Sequence, residues 1–267
     1  MKLNDLPTQA LDAARAAPLP ERRRPRLEAV WARHEDELRA AQHLRWRVFV
    51  EEMGATLRPP RGTPPGHDAD LFDPYCEHLL VRTRASDDAP SRVVGTYRVL
   101  TPAAARRVGG LYSGEVFDLS ILAPLRPTLA ELGRSCVDPD FRHGGVILML
   151  WGALAGFMQR NGLTRMIGCA SVPMRDGGHY AASLWRHLEA RHLAPIEWRV
   201  RARCPLPVDG LTSDLVVQPP PLIKGYLNCG ATVLGAPAWD PAFNTADLPL
   251  MLNLADLPPS HRRRFLG

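Results

Sequence analysis

Apolar residues recur along this chain in two rhythms, and the changes between them mark its elements. From about Leu27 to Val50 the apolar positions Leu27, Val30, Leu38, Leu44, Val48 and Phe49 fall at helical spacing, which predicts a helix. Residues 54–66, GATLRPPRGTPPG, break the period, because prolines and glycines interrupt regular hydrogen bonding; this is a loop. A strand pair follows: HLLVRTR (78–84) and RVVGTYRVL (92–100) flank the polar turn ASDDAPS. Another strand is predicted over 129–137. It passes through the turn Asp138-Pro139-Asp140 and the glycines Gly144-Gly145 into an apolar run. That run reads as a helix ending near Asn161-Gly162, a suitable C-cap.

Beyond it, LTRMIGCASV (163–172) reads as a strand, HYAASLWRHLEARH (179–192) as a helix and PIEWRVRARCPL (195–206) as a strand. PPLIKGYLNCGATVLG (220–235) mixes a short helical segment with a strand. Helices and strands in this order predict an α/β fold, with a mixed central sheet flanked by helices. A chain of 267 residues, 45% of them hydrophobic, suffices for a real core and one large or two small domains.

Charge divides the chain. Its net charge is +5, carried mainly by the ends. Residues 1–26, rich in Ala, Pro and Arg, have six basic and three acidic residues and no periodicity; they read as a mobile basic tail. Arg262, Arg263 and Arg264 make 258–267 a second basic tail, leaving 27–257 as the nearly neutral domain. Basic tails suit an acidic protein, an anionic membrane surface or nucleic acid, or simply solubility. Aromatic residues are not interleaved with the basic ones, so single-strand binding is not expected. The five cysteines are odd in number and form no C-x-x-C pair, which predicts a reduced, cytoplasmic protein with no zinc site. The longest apolar run, 146–158, is too short to span a bilayer.

Candidate chemistry concentrates in ELGRSCVDPDFRHGG (131–145). Free amides at a helix start attract anions, so Arg142, Gly144 and Gly145 suit either a phosphate seat or a plain tight turn. Glu131 and Arg134 lie in a strand expected to be central. Regular alternation puts positions three apart on opposite faces, but a bulge at Gly133 would re-aim one side chain. A buried carboxylate there gains proton affinity and can take a proton from an amine. Equally, Glu131 and Arg134 can pair with other side chains and hold the sheet. Upstream, Arg45, Arg47, Asp70, Asp73 and Arg98 suit an amino acid with a cationic side chain, whose carboxylate an arginine fork would grip; solvated helix charges and loop capping serve as well. Cys136 reads as a small buried hydrophobe unless His78 or His143 activates it.

Seven ordered blocks, RWRVFVEEMGA (45–55), DADLFDPYCEHLLV (68–81), VVGTYRVL (93–100), YSGEVFDLS (112–120), ELGRSCVDPDFRHGGVILMLW (131–151), GCAS (168–171) and PPLIKGYLNCGA (220–231), resemble ornithine-lipid biosynthesis N-acyltransferases. These are Gcn5-related N-acyltransferase (GNAT) superfamily members similar to acyl-homoserine-lactone synthases. The resemblance covers about residues 27–257. It implies the GNAT fold and transfer of a 3-hydroxy fatty acyl group from acyl carrier protein to the α-amino group of L-ornithine, giving lyso-ornithine lipid.

The resemblance also implies site roles: Glu131 as catalytic base; Arg47 (favoured over Arg45), Phe49, Asp70, Asp73, Arg98 and Arg134 around the substrates; Ser135, Cys136, Val137, Arg142, Gly144 and Gly145 along the donor's phosphopantetheine. No permanently bound cofactor is implied. Ile147 replaces the last small residue of the superfamily's R/Q-x-x-G-x-G/A motif. Its β-branched side chain would crowd a diphosphate, which favours a carrier-protein donor over coenzyme A. Peripheral contact with the inner membrane is expected; nucleic acid is not. Rival readings are another acceptor (glycine or a homoserine-lactone precursor) and a non-enzymatic lipid- or nucleic-acid-binding module.

Overall fold

The computed structural model describes residues 25–86, 90–142 and 145–266. The proposed tail 1–26 and Gly144 therefore lie almost wholly and wholly, respectively, outside the described residues. The first element is a strand, β1 (Leu27–Trp31), not the start of a helix. Helix α1 (Glu35–Trp46) follows and opens into a wide π-helical turn, Arg47–Glu52. Hairpin strands β2 (Glu77–Thr83) and β3 (Val93–Leu100) come next. Helix α2 (Pro102–Val108) and the short strand β4 (Phe117–Asp118) lead to β5 (Leu129–Val137).

The second half holds α3 (Gly145–Arg160), β6 (Arg165–Pro173) and α4 (His179–His192). Only two residues of the predicted 195–206 strand pair as one, β7 (Arg201–Ala202). Then come α5 (Pro221–Asn228), β8 (Thr232–Val233), β9 (Ala238–Asp240) and β10 (Thr245–Asn253). The basic segment read as a C-terminal tail forms helix α6 (Pro259–Leu266), whose Phe265 packs edge-on against Trp151 of α3.

The main sheet runs β1-β2-β3-β5-β6-β10-β8, with β9 beside β10. Neighbours are antiparallel except β5 and β6. Alternation along β3 sends Tyr97 and Val99 into the core under α3. Arg98 goes to the opposite face, where it meets the loop that follows α1.

Two irregularities in β5 create the site. First, Arg98 stands opposite Gly133 while Thr96 stands opposite Cys136, so β5 carries one extra residue. The bulge falls on Arg134, whose φ of 50° is in the left-handed region uncommon for a side-chain-bearing residue. That extra residue brings Arg134 onto the face of Glu131, which regular alternation would forbid. Second, β5 and β6 pair only from Leu129↔Arg165 to Glu131↔Ile167, although both strands continue. Beyond Glu131 they splay apart and leave backbone groups facing a gap between strands.

Gly168 stands where the strands part. A β-carbon there would lie 2.5 Å from the Leu132 carbonyl oxygen. Gly168→Ala therefore forces the strands apart, and we expect it to lower stability by about 1–3 kcal/mol, measured by thermal unfolding.

Candidate active site

A cleft of about 320 Å³ lies at the splay, walled by residues of β5 and β6, by Phe49, Tyr112 and Phe243, and by Asp240 and Asp247. Glu131 is buried in its wall. Its Oε2 accepts the Tyr112 backbone N–H at 2.6 Å, and Oε1 accepts the Ser113 N–H at 2.6 Å and the Ser113 hydroxyl. Burial pushes the Glu131 carboxyl up; the Ser113 and Tyr112 donors oppose that without cancelling it. The result is a fixed carboxylate with heightened proton affinity and one lone pair of Oε2 unclaimed.

Beside it lies a buried ion network. Arg45 reaches Asp68 Oδ2 through Nε at 3.0 Å and Asp73 Oδ1 through Nη1 at 3.0 Å. Arg98 Nη1 lies 2.6 Å from Asp70 and 2.9 Å from Asp73. Arg134 lies 3.2 Å from Asp68 and 3.1 Å from Asp70. Three arginines thus balance three aspartates, as buried charges require. Burial raises the pKa of Asp73, but Arg45 and Arg98 outweigh it and hold the carboxyl far below the ordinary range. Asp70 is likewise held low by Arg98 and Arg134 against burial. Aromatic faces complete the cage: the Arg134 guanidinium lies 4.9 Å from the Tyr112 ring centre and 5.4 Å from that of Phe243.

Several expected placements change. Arg45, not Arg47, joins this network; Arg47 is part-exposed and pairs with Asp138 at 3.0 Å, away from the cleft wall. On a helix, residues two apart point about 200° apart, so the two arginines cannot share a task. Asp70 and Asp73 face arginines instead of standing free for a cationic substrate. Arg142 lines the cleft, yet its guanidinium is occupied by Glu52 at 2.6 and 2.7 Å and by the Val137 carbonyl. Ile147 packs against the core under α3, so it gives no sign of crowding a diphosphate.

Phe49 meets Phe243 edge-on, with ring centres 5.9 Å apart. Ser135, Cys136 and Val137 continue the cleft along β5, while Gly145 begins α3. Burial pushes the Cys136 thiol up to about 12, and its side chain packs on Leu44 and Val48, the surroundings of a small buried hydrophobe. The His78 ring nitrogen Nε2 donates to the Asp73 carbonyl at 3.0 Å, placing His78 beneath the network.

Sequence reasoning missed Tyr112, Ser113, Asp240, Asp247 and a second, apolar cavity. That cavity, about 90 Å³, is lined by residues such as Trp151, Leu154, Leu250, Leu254 and Phe265, and shares Tyr97, Leu132, Cys169, Ala170 and Tyr226 with the cleft. The Tyr97 and Tyr226 hydroxyls, 2.5 Å apart, bond to each other where the two spaces meet.

A model of the acetyltransferase (GNAT) domain matches residues 44–152, which hold the ion network and both irregularities of β5. Among solved structures, the N-acyl amino acid synthase FeeM from uncultured soil microbes superposes with a TM-score of 0.53 at 15% identity, covering 91% of this chain and 97% of that one. The AHL synthase LasI gives 0.52 at 13%, covering 91% and 96%. These likenesses establish the fold: a GNAT fold whose mixed central sheet is flanked by helices. An L-ornithine N(alpha)-acyltransferase of Agrobacterium fabrum (strain C58) is 37% identical over 243 residues, 86% of this chain and 82% of its own. Another from Rhodobacter capsulatus is 36% identical over 88% of this chain and 92% of its own. With such identity sustained over most of both relatives, the chain belongs to the L-ornithine N(alpha)-acyltransferase family of GNAT-fold acyltransferases.

Proposed function

We propose that this protein transfers a 3-hydroxy fatty acyl group from the phosphopantetheine thiol of acyl carrier protein to the α-amino group of L-ornithine, releasing lyso-ornithine lipid. The observation that carries the reading is the buried Glu131 carboxylate at the point where β5 and β6 separate. The unpaired edges beyond it suit the amides of a phosphopantetheine arm, which would complete the interrupted hydrogen bonding. The apolar cavity joined to the cleft suits the acyl chain.

An amino acid's α-amine is protonated at neutral pH, and only the neutral amine attacks. Glu131 takes its proton, directly or through one water. The nitrogen adds to the thioester carbonyl, and backbone N–H groups of 134–137 that face away from β3 stabilise the oxyanion. Collapse forms the amide and breaks the C–S bond; the second nitrogen proton passes to the departing thiolate, and the proton held by Glu131 is released to solvent. Arg134 lines the cleft and receives the amino-acid carboxylate through guanidinium N–H groups beyond those that meet Asp68 and Asp70, with Arg98 behind it.

Incubation with 3-hydroxyacyl carrier protein, or the matching coenzyme A thioester, and a panel of amino acids tests the reading by product mass. Acyl-ornithine formed chiefly from the carrier-protein donor supports it. Acylation of glycine or a lactone precursor instead would move the acceptor, and absence of thioester cleavage would leave only a binding module. Acyl carrier protein is acidic, so its dissociation constant is expected to rise steeply with salt; titration at several ionic strengths checks this. Among the described residues no helix is long and apolar enough to cross a membrane. We place the protein in the cytoplasm, with peripheral contact at the inner membrane where its lipid product would partition.

A further inference from the structure

Strand β10 is largely apolar, with Ala246, Leu248, Leu250 and Met251 buried, yet its third residue is an acid, Asp247. Only 5% of this residue is exposed. One carboxylate oxygen accepts the Thr245 hydroxyl at 2.9 Å, and Ser171 of β6 stands directly across the ladder. Unlike Asp68, Asp70 and Asp73, it forms no ion pair with a protein cation among the described residues. The Arg134 charge lowers the Asp247 pKa only weakly, and Arg134 already meets Asp68 and Asp70. Asp240 on β9 lines the same cleft and adds negative charge, its Oδ1 fixed by the backbone N–H groups of Ala242 and Phe243 at 2.8 and 3.2 Å.

Burial pushes the Asp247 carboxyl up to about 6 against the Ser171 and Thr245 hydroxyls, which is the cost of holding its charge here, and a cation supplied from the cleft would relieve it. Glu131 and Asp247 flank a common neighbour: Cys169 Sγ lies 3.5 Å from Ser113 Oγ, the donor to Glu131, and the Asp247 charge acts on the same thiol. The base and the unpaired acid therefore share one chamber.

Resting on the acyl-transfer reading above, we infer that Asp247, backed by Asp240, receives the side-chain ammonium of the acceptor amino acid. This pairing does two things. It selects acceptors with a cationic side chain over neutral ones of the same length. It also keeps the side-chain nitrogen protonated, so that nitrogen cannot attack and the acyl group goes to the α-amine that Glu131 deprotonates. The three-to-three balance of the neighbouring ion network explains why its aspartates do not serve: each already faces an arginine.

The experiment compares kcat/KM for ornithine and for norvaline, the same chain without the terminal amine, in wild type and in Asp247→Asn. The ratio of the two acceptors does not depend on how much of the variant is folded. Wild type is expected to prefer ornithine strongly, and Asp247→Asn to shrink that preference by about 100-fold or more, mostly through ornithine. A ratio unchanged by the substitution overturns the inference while leaving the acyltransferase reading standing. So does a wild-type enzyme that uses both acceptors equally, a result that needs no variant. A wild-type protein that acylates neither acceptor overturns the underlying reading and this inference with it.

Discussion

Replacing Glu131 with glutamine lowers the rate of acyl transfer by about 100- to 10,000-fold, the usual worth of a positioned general base. The geometry says what else to expect. Glu131 accepts three hydrogen bonds, two of them from consecutive backbone amides. A glutamine has one acceptor oxygen, so its amide nitrogen must face either the Tyr112 or the Ser113 N–H. That mismatch costs about 1–3 kcal/mol, and the rate should be read well below the variant's unfolding temperature. A pH profile separates a chemical role from a structural one. Burial raises the Glu131 pKa, and a protonated carboxyl cannot accept the amine's proton. The wild-type rate therefore climbs as pH rises through that raised value, and the glutamine variant lacks this limb.

The second large effect is on stability. Arg45→Ala takes one fully buried cation from Asp68 and Asp73 and leaves three buried aspartates to two arginines, Arg98 and Arg134; an uncompensated buried charge of this kind costs about 3–5 kcal/mol. For a chain of this size that lowers the midpoint of thermal unfolding by about 6–20 °C. Arg47→Ala is the control. Its side chain is partly exposed, and Asp138 keeps Arg92 at 2.9 Å, so a loss within about 1 kcal/mol is expected. The same network governs acid stability. Asp70 and Asp73 are held below the ordinary carboxylate range. Their stabilising contribution is complete above that range and is lost as pH falls through their depressed values. Without Arg45, unfolding by acid begins at a higher pH.

Local patterns carried much of the fold because many elements are locally determined. Helix α4 occupies the predicted span His179–His192, and the hairpin and β5 lie within a residue or so of theirs. Sequence pattern and structure differ where distant partners decide. Leu27 and Val30, three apart, satisfy a helical period, but pairing with β2 draws the segment out as an edge strand. Strand β10 contains Pro249, a residue that argues against a central strand; it is tolerated there, and its carbonyl still accepts the Leu234 N–H at 2.8 Å. The arginines of α6 resemble a solvated tail until Phe265 finds Trp151.

The site shows the same division. Glu131 and Arg134 stand out as charges in an apolar strand, and Gly133 pointed to a bulge one residue from where it lies. Choosing between Arg45 and Arg47 required the phase of α1 relative to the loop carrying Asp68 and Asp73. Asp247 carries the same signal as Glu131, an acid inside an apolar run, but Pro249 two residues on disguises its strand.

The most direct test of the account is where the acyl group goes. Ornithine labelled with nitrogen-15 at the α position is incubated with 3-hydroxyacyl carrier protein and the wild-type enzyme, and the product is fragmented in a mass spectrometer. The account predicts that the amide nitrogen carries the label, with one free thiol released per amide formed. An amide at the unlabelled side-chain nitrogen, or thiol release with free fatty acid and no amide, would contradict it.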